Sequence, residues 1–300
     1  MEGIFTELKR KFRSGSILSQ YIYINVGVFV LIRFLWIVMF LFKGIASFDA
    51  LLQYIEMPSS PMLLLHRPWT VFTYMFVHFD FFHLLFNMLW LYWFGHIFMQ
   101  FFNPRQLGGL YVLGGIAGGA CFVAAYNLFP YFDAVAGSSF LKGASASVMA
   151  IVFAVSFYQK DYMINLMIIG RIRLIYLALS VLFIDFIAIA SENAGGRIAH
   201  IGGALLGIFF ASQYQKGKDI TNIINHLIDR IVNFATHKPS FKVKYGEKKK
   251  PARHETDDEY RHRRHKEEQE IDAILDKLKR SGYESLSEEE KKKLFDASRR

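Results

Sequence analysis

Apolar residues crowd roughly the first two thirds of the chain in six stretches: Tyr21–Phe42, Phe79–Phe101, Leu107–Leu128, Gly143–Tyr158, Ile172–Ala190 and Gly196–Gln213. Each comes near the roughly 20 residues that cross a hydrocarbon core as a helix. The fourth and sixth are short and rich in Gly, Ala and Ser, which suits helices buried among other helices. Ala146, Ala150 and Ala154 form a stripe at i, i+4, i+8 in the fourth stretch, and Ala199, Gly203 and Gly207 form another in the sixth. Two such stripes let helices approach closely. The pattern predicts an all-α polytopic membrane protein, with a six-helix body over 21–213 behind a short N-terminal segment, 1–20. The segment 43–70 mixes apolar runs with Pro58, Pro61 and Pro68. It is too greasy for a free loop and is expected to lie in the membrane interface.

Beyond the last stretch, Ile220, Ile223, Ile224, Leu227, Ile228 and Ile231 recur at helical spacing, with Asp219 placed to cap the start. This predicts an amphipathic interfacial segment over 214–245. The remainder, 246–300, is dominated by charge and reads as a flexible linker to about Glu270, then two short helices, Ile271–Arg280 and Ser287–Ala297. Ser281-Gly282 breaks the first, and Ser287 with Glu290 forms a capping box for the second.

Charge changes the picture only in orienting it. The formal net charge is +9, and many basic residues sit at the N-terminus and in the tail. Positive charge beside membrane spans is held in the cytoplasm, so both termini are placed there. No recognised nucleic-acid motif appears, and nucleic-acid binding is not expected. Lys9, Arg10, Lys11 and Arg13 precede an apolar run that no small-residue cleavage site closes, so no removable signal peptide is expected. The single cysteine, Cys121, reads as a small packing residue.

Polar residues inside a membrane cost free energy and call for a reason. His83 and Asn87, four apart early in the second stretch, share one helix face and both can donate hydrogen bonds. Ser145, in Gly143-Ala144-Ser145, opens the fourth stretch, where backbone N–H groups are unsatisfied and a developing negative charge is favoured. His200, in Ala199-His200-Ile201-Gly202-Gly203, opens the sixth. These three clusters fall at one depth, just below the outer surface. Together they supply a nucleophile, a base and two spare donors, the inventory of acyl transfer. Asp185, mid-way along the fifth stretch, reads as a residue hydrogen-bonded inside the bundle. Ser147 points about 200° round the helix from Ser145 and cannot share its role.

The chain resembles the rhomboid intramembrane serine proteases over about 21–213. That pattern has a long first loop with a Trp-Arg pair, then HxxxN, GxSG, and AHxxG with a further glycine. Here Trp69, His83, Asn87, Gly143, Ser145, His200, Gly203 and Gly207 stand at those places. Three departures are Thr70 after Trp69, Ala146 in place of the second glycine of GxSG, and Met149 where some members carry an aromatic residue. The resemblance implies a Ser145–His200 dyad without a carboxylate and an oxyanion site from His83, Asn87 and the Ser145 backbone. It also implies cleavage in or near the transmembrane segments of protein substrates in a lipid bilayer, with no cofactor and no metal. A bacterial inner membrane is the expected location, and a cytoplasmic partner is expected for the tail. The competing expectation is an inactive rhomboid-like protein that binds membrane helices for quality control or trafficking.

Overall fold

The structure is a computed structural model, and it describes residues 15–166, 170–190, 193–236 and 257–298. Two units are distinct, 1–237 and 238–300, and each is described by itself.

The first unit is mostly helical. Helix α1 (Ile17–Leu41) is followed by α2 (Ile45–Leu52), strand β1 (Met57–Pro58), α3 (Pro61–His66) and the single turn α4 (Thr70–Thr73). Then come α5 (Phe81–Phe98), α6 (Pro104–Leu128), strand β2 (Phe140–Leu141), α7 (Ser145–Tyr158) and the strands β3 (Met163–Leu166) and β4 (Gly170–Arg173). Helices α8 (Leu174–Ile187), α9 (Ala194–Gln215) and α10 (Asn222–Thr236) complete it. Helices α1, α5, α6 and α9 are long and apolar enough to cross a membrane; α7 and α8 are apolar but shorter. The fifth stretch, read from Ile172, becomes helical only at Leu174, because β4 runs to Arg173 and pairs antiparallel with β3, Met163 opposite Arg173.

Local chemistry sets the helix ends. Asp80 caps α5 by accepting from the His83 N–H at 2.8 Å. Asn103 and Gln106 form a reciprocal capping box at α6, with Pro104 at its first position. Asp219 does not cap α10 directly. It accepts from Thr221 N–H and Oγ at 2.9 and 2.6 Å, and from Gln106 Nε2 at 2.8 Å, while the helix begins at Asn222. An Arg105–Asp229 ion pair adds a second tie between α10 and the start of α6.

Burial sorts the helices. Every residue of α7 from Ala146 to Ser156 is buried, so α7 is the centre of the bundle. Helix α9 packs chiefly on α7 and α6. The two small-residue stripes meet there: a Cβ added at Gly203 would lie 2.1 Å from the Ala146 carbonyl oxygen, and one at Gly207 would lie 2.3 Å from that of Ala150. Helix α1 buries only Leu18, Asn25 and Ile32, and α8 only Leu174, Ala178 and Asp185; large apolar side chains such as Leu31, Phe34, Phe183 and Ile184 face outward. An outward apolar face is what a helix in contact with hydrocarbon requires. Arg33 stays on α1 with its guanidinium 4.6 Å from the Phe79 ring centre and 5.1 Å from that of Trp36.

In the second unit, α11 (Asp257–Ser281) and α12 (Glu288–Ser298) form a helical hairpin. Helix α11 begins well before Ile271, so much of the expected charged linker is helical; 245–256 lies outside the described residues. The break and the capping box stand as read: Gly282 takes φ 79°, and Ser287 and Glu290 bond reciprocally at 2.8 and 3.3 Å. Lys277–Glu290 and Lys293–Glu270 pair the two helices.

Candidate active site

The site forms at one end of the bundle, where α5, α7 and α9 begin. Ser145 is the first residue of α7. The turn before it is fixed from several sides. Gly143 has φ 111°, and any Cβ there would lie 2.7 Å from His83 Cε1, so the His83 ring packs directly on this glycine. The Gly143 N–H donates to the Tyr74 carbonyl at 2.9 Å, and the Ala144 N–H donates to His78 Nε2 at 3.2 Å. Because a backbone N–H can only donate, His78 Nε2 is the acceptor nitrogen and Nδ1 carries the proton.

The first loop braces the same turn. β1 pairs with β2, Met57 opposite Leu141, and Lys142 forms a 2.7 Å ion pair with the buried Glu56. Ser59 donates to the Ala136 and Ser139 carbonyls, and Asn127 donates to Ser59. Arg67 stacks 3.9 Å from the Tyr54 ring centre and donates to Gln53 O, while Trp69 Nε1 donates to Tyr54 O at 2.7 Å. The loop therefore has an arginine contact, supplied two residues before Trp69. Thr70 itself is buried, with its hydroxyl on Arg67 O.

Helix α9 meets the α7 backbone at Gly203, whose added Cβ would lie 2.1 Å from the Ala146 carbonyl oxygen, and Gly118 of α6 meets both helices, its added Cβ 2.4 Å from the Ala146 methyl and 2.8 Å from the Ala199 carbonyl oxygen. Ser145 and His200 are the immediate chain neighbours of Ala146 and Ala199. Ser145 is half-buried; Ser147 is fully buried, with its hydroxyl 3.9 Å from Met75 Sδ and away from α9.

His200 is held by a group that sequence reasoning did not assign to it. Its Nδ1 lies 2.8 Å from Asp185 Oδ2, and Arg197 Nη1 donates to Asp185 Oδ1 at 3.1 Å. An expected carboxylate-free histidine is thus corrected: a buried carboxylate from α8 engages it. An ionised carboxylate only accepts, so Nδ1 bears the hydrogen and, in the neutral ring, Nε2 holds the lone pair. The sequence placed Asp185 inside the bundle, where it is, but its register against His200 depends on the hairpin and helix start that precede it.

Asn87 is buried beside His83. Its amide donates to the His83 carbonyl at 2.8 Å and lies 3.3 Å from His78 Nε2. The two spare donors expected from HxxxN are therefore on hand, but in this state the Asn87 amide is already engaged. His78, to which the sequence reading gave no role, is the buried hub: it joins Asn87, the Ala144 backbone and, at 5.1 Å between ring centres, His83. Among the described residues no cluster of His, Cys, Asp and Glu suits a metal ion.

The rhomboid domain family matches residues 65–215, half of the chain, a span that holds His78, His83, Asn87, Ser145, Asp185, Arg197 and His200. The chain belongs to the rhomboid family. Helices α5 to α9 lie within the matched rhomboid domain and α1 precedes it; the C-terminal residues 254–300 match a separate family of unknown function, DUF6576. Among curated relatives, it is 25% identical over 161 residues to RHOMBOID-like protein 12, mitochondrial, from Arabidopsis thaliana. That match covers 51% of this chain and 48% of the relative, so the chain spans about half the length of the relative it matches.

Proposed function

We propose that this rhomboid protein is an intramembrane serine endopeptidase. Ser145 is the nucleophile and His200 the general base. Ser145 Oγ attacks the scissile carbonyl while His200 Nε2 takes the hydroxyl proton, and the proton then passes to the leaving amine. Water hydrolyses the acyl-enzyme by the same route in reverse. The Ser145 N–H at the start of α7, His83 and Asn87 stabilise the oxyanion; Asn87 does so by exchanging one of its present bonds for the substrate oxygen.

The observation that carries this reading is the 2.8 Å contact of His200 Nδ1 with Asp185 Oδ2. A histidine held by a carboxylate through Nδ1 presents a basic Nε2. It does so on the helix that packs, with no side chain between, against the helix opened by Ser145. The substrates are transmembrane proteins. A helical substrate hides its carbonyls in hydrogen bonds, so segments that unwind readily are preferred. In this reading α7 and α8 cross the bilayer with the four longer helices, giving six spans. The termini lie in the cytoplasm and the tail serves a cytoplasmic partner. A bacterial inner membrane is the proposed location.

The test is labelling of the purified full-length chain by a fluorophosphonate probe, with cleavage of a transmembrane reporter alongside. Wild type is labelled and cleaves; Ser145→Ala and His200→Ala do neither while remaining folded. A folded wild type that is neither labelled nor active would instead favour a non-catalytic helix-binding rhomboid.

A further inference from the structure

We infer that Asp185 is the positioning residue for His200, and that Arg197 sets how much of the carboxylate's charge the imidazole feels. The inference rests on the protease reading above and adds a third member to the Ser145–His200 pair.

Asp185 is one of three buried residues on α8, a helix that otherwise turns large apolar side chains outward. A carboxylate in such a place is costly unless paired and hydrogen-bonded. It meets two partners, both on α9 and three residues apart, on one face of that helix. Oδ1 accepts from Arg197 and Oδ2 from His200. An ion pair that served only to dock α8 would be complete with Arg197 alone. The second oxygen is instead placed on the one nitrogen of His200 that must keep its hydrogen for the other to act as base.

The consequence for the reaction is a fixed proton inventory. During attack the Ser145 O–H bond breaks, the Oγ–carbon bond forms, and Nε2 gains the proton. The Nδ1 hydrogen stays where it is, and Asp185 is never protonated. The Nδ1–H to Oδ2 bond, already to a charged acceptor, becomes an ion pair as the imidazolium forms, so it strengthens between ground state and transition state. Arg197 shares the same carboxylate and offsets part of that pull. Among the described residues, the other ionisable groups near this region are His83 on α5 with Asp80 at its cap, Lys142 before α7, and Cys121 and Tyr126 on α6, which lie against Gly202 and Gly195 of α9.

The experiment uses the full-length protein in detergent with Asp185→Asn, Asp185→Ala, Asp185→Glu and Arg197→Gln. Reporter cleavage gives kcat and KM separately across about pH 5–9, the range in which a histidine base titrates, and fluorophosphonate labelling rates run in parallel. Asp185→Ala lowers kcat by about 10²-fold or more, as loss of the orienting carboxylate does in a Ser–His–Asp site. KM changes by less than about threefold, since uniform binding is untouched, and Asp185→Glu restores part of kcat. The acid limb of the rate moves to lower pH in Asp185→Asn, where the negative charge beside the imidazole is gone, and to higher pH in Arg197→Gln, where a positive charge beside it is gone. A purely structural ion pair would move neither limb. Should the Asp185 variants fail to fold, Arg197→Gln decides alone: an upward-moved limb supports the inference and an unmoved one overturns it. Folded Asp185→Asn with wild-type kcat and wild-type limb also overturns it. A wild type that is neither labelled nor active removes the protease reading itself, and the role of Asp185 in catalysis with it.

Discussion

Replacing Gly203 by Ala adds one methyl group where α9 crosses α7. That carbon would lie 2.1 Å from the Ala146 carbonyl oxygen, 2.9 Å from its carbonyl carbon and 3.1 Å from its Cα. All three are backbone atoms of a helix, so no side chain can swing aside. Heavy atoms settle near 3.5 Å apart, so the helices must part by more than about 1 Å. Overpacking of this kind costs about 1–3 kcal/mol. Its effect on chemistry is larger, because the displaced segment carries Ser145 on one side and His200 on the other. A misplacement of about 1 Å lowers the rate by about 10²-fold. Gly207→Ala is the comparison: its Cβ meets the Ala150 carbonyl oxygen at 2.3 Å, one turn deeper, and loses similar stability with a smaller loss of rate. Gly27→Ala is the control, since nothing lies within 4 Å of its Cβ, and it keeps full stability and activity. Thermal unfolding in detergent gives the first quantity and fluorophosphonate labelling the second. A Gly203→Ala protein labelled at the wild-type rate would refute the argument that this contact sets the distance between nucleophile and base.

Other outcomes follow from the same geometry. Ser147→Ala retains most activity, measured by reporter cleavage, because its hydroxyl faces Met75. Asn87→Ala lowers kcat by about 10²-fold and also lowers the unfolding temperature, because the amide's bonds to His83 and His78 are lost together; an effect confined to KM would assign it to substrate binding. Deleting 246–300 leaves cleavage of a purified reporter near its wild-type rate, and an inactive but folded truncation would make the tail part of the catalytic machinery. Within the tail, the Ser287 N–H and then Lys277 hold the Glu290 carboxyl below its usual range, and Lys293 does the same for Glu270. Depressed carboxyl values stabilise the folded form above the ordinary glutamate range and lose that contribution as pH falls below it. Energy transfer between labels at Arg261 and Asp296 is therefore flat through neutrality and falls in acid.

The helices were legible because their signals are local. Long apolar runs and i, i+4 stripes of small residues state which segments are helical and which of them meet, and the Ala146–Gly203 and Ala150–Gly207 contacts realise that pairing. The tail's capping box was legible for the same reason, since Ser287 and Glu290 are three residues apart. Registers that depend on turns were not. Strand β4 is apolar enough at Ile172 to be read into the fifth stretch, and its pairing with β3 delays α8 to Leu174. That start decides which face of α8 meets α9, and hence that Asp185 meets His200. The role of His78 was hidden similarly: its partner is the Ala144 N–H, and backbone donors leave no trace in a side-chain motif.

The departure at Ala146 bears most directly on whether the site can work. In the family pattern a glycine follows the serine, and an added methyl would be harmful if it projected toward the substrate. Here it projects the other way. A Cβ on Gly118 would sit 2.4 Å from the Ala146 methyl, so that methyl occupies the space that the absent side chain of Gly118 leaves on α6. Ala146 is buried, whereas Ser145 beside it keeps part of its surface open. The two positions are 100° apart on the helix, which is enough to give one to packing and the other to solvent. Exchange of the glycine for alanine is thus matched by a glycine opposite, and the pair should behave as a unit. Gly118→Ala in this chain pushes two methyl groups together and destabilises it by about 1–3 kcal/mol. Ala146→Gly alone leaves a small void and costs about 1 kcal/mol or less. The double exchange, Ala146→Gly with Gly118→Ala, restores most of the stability lost by Gly118→Ala. Unfolding temperatures of the four proteins form a double-mutant cycle. Additive effects would mean that the two helices adjust independently, and that Ala146 reaches the site after all.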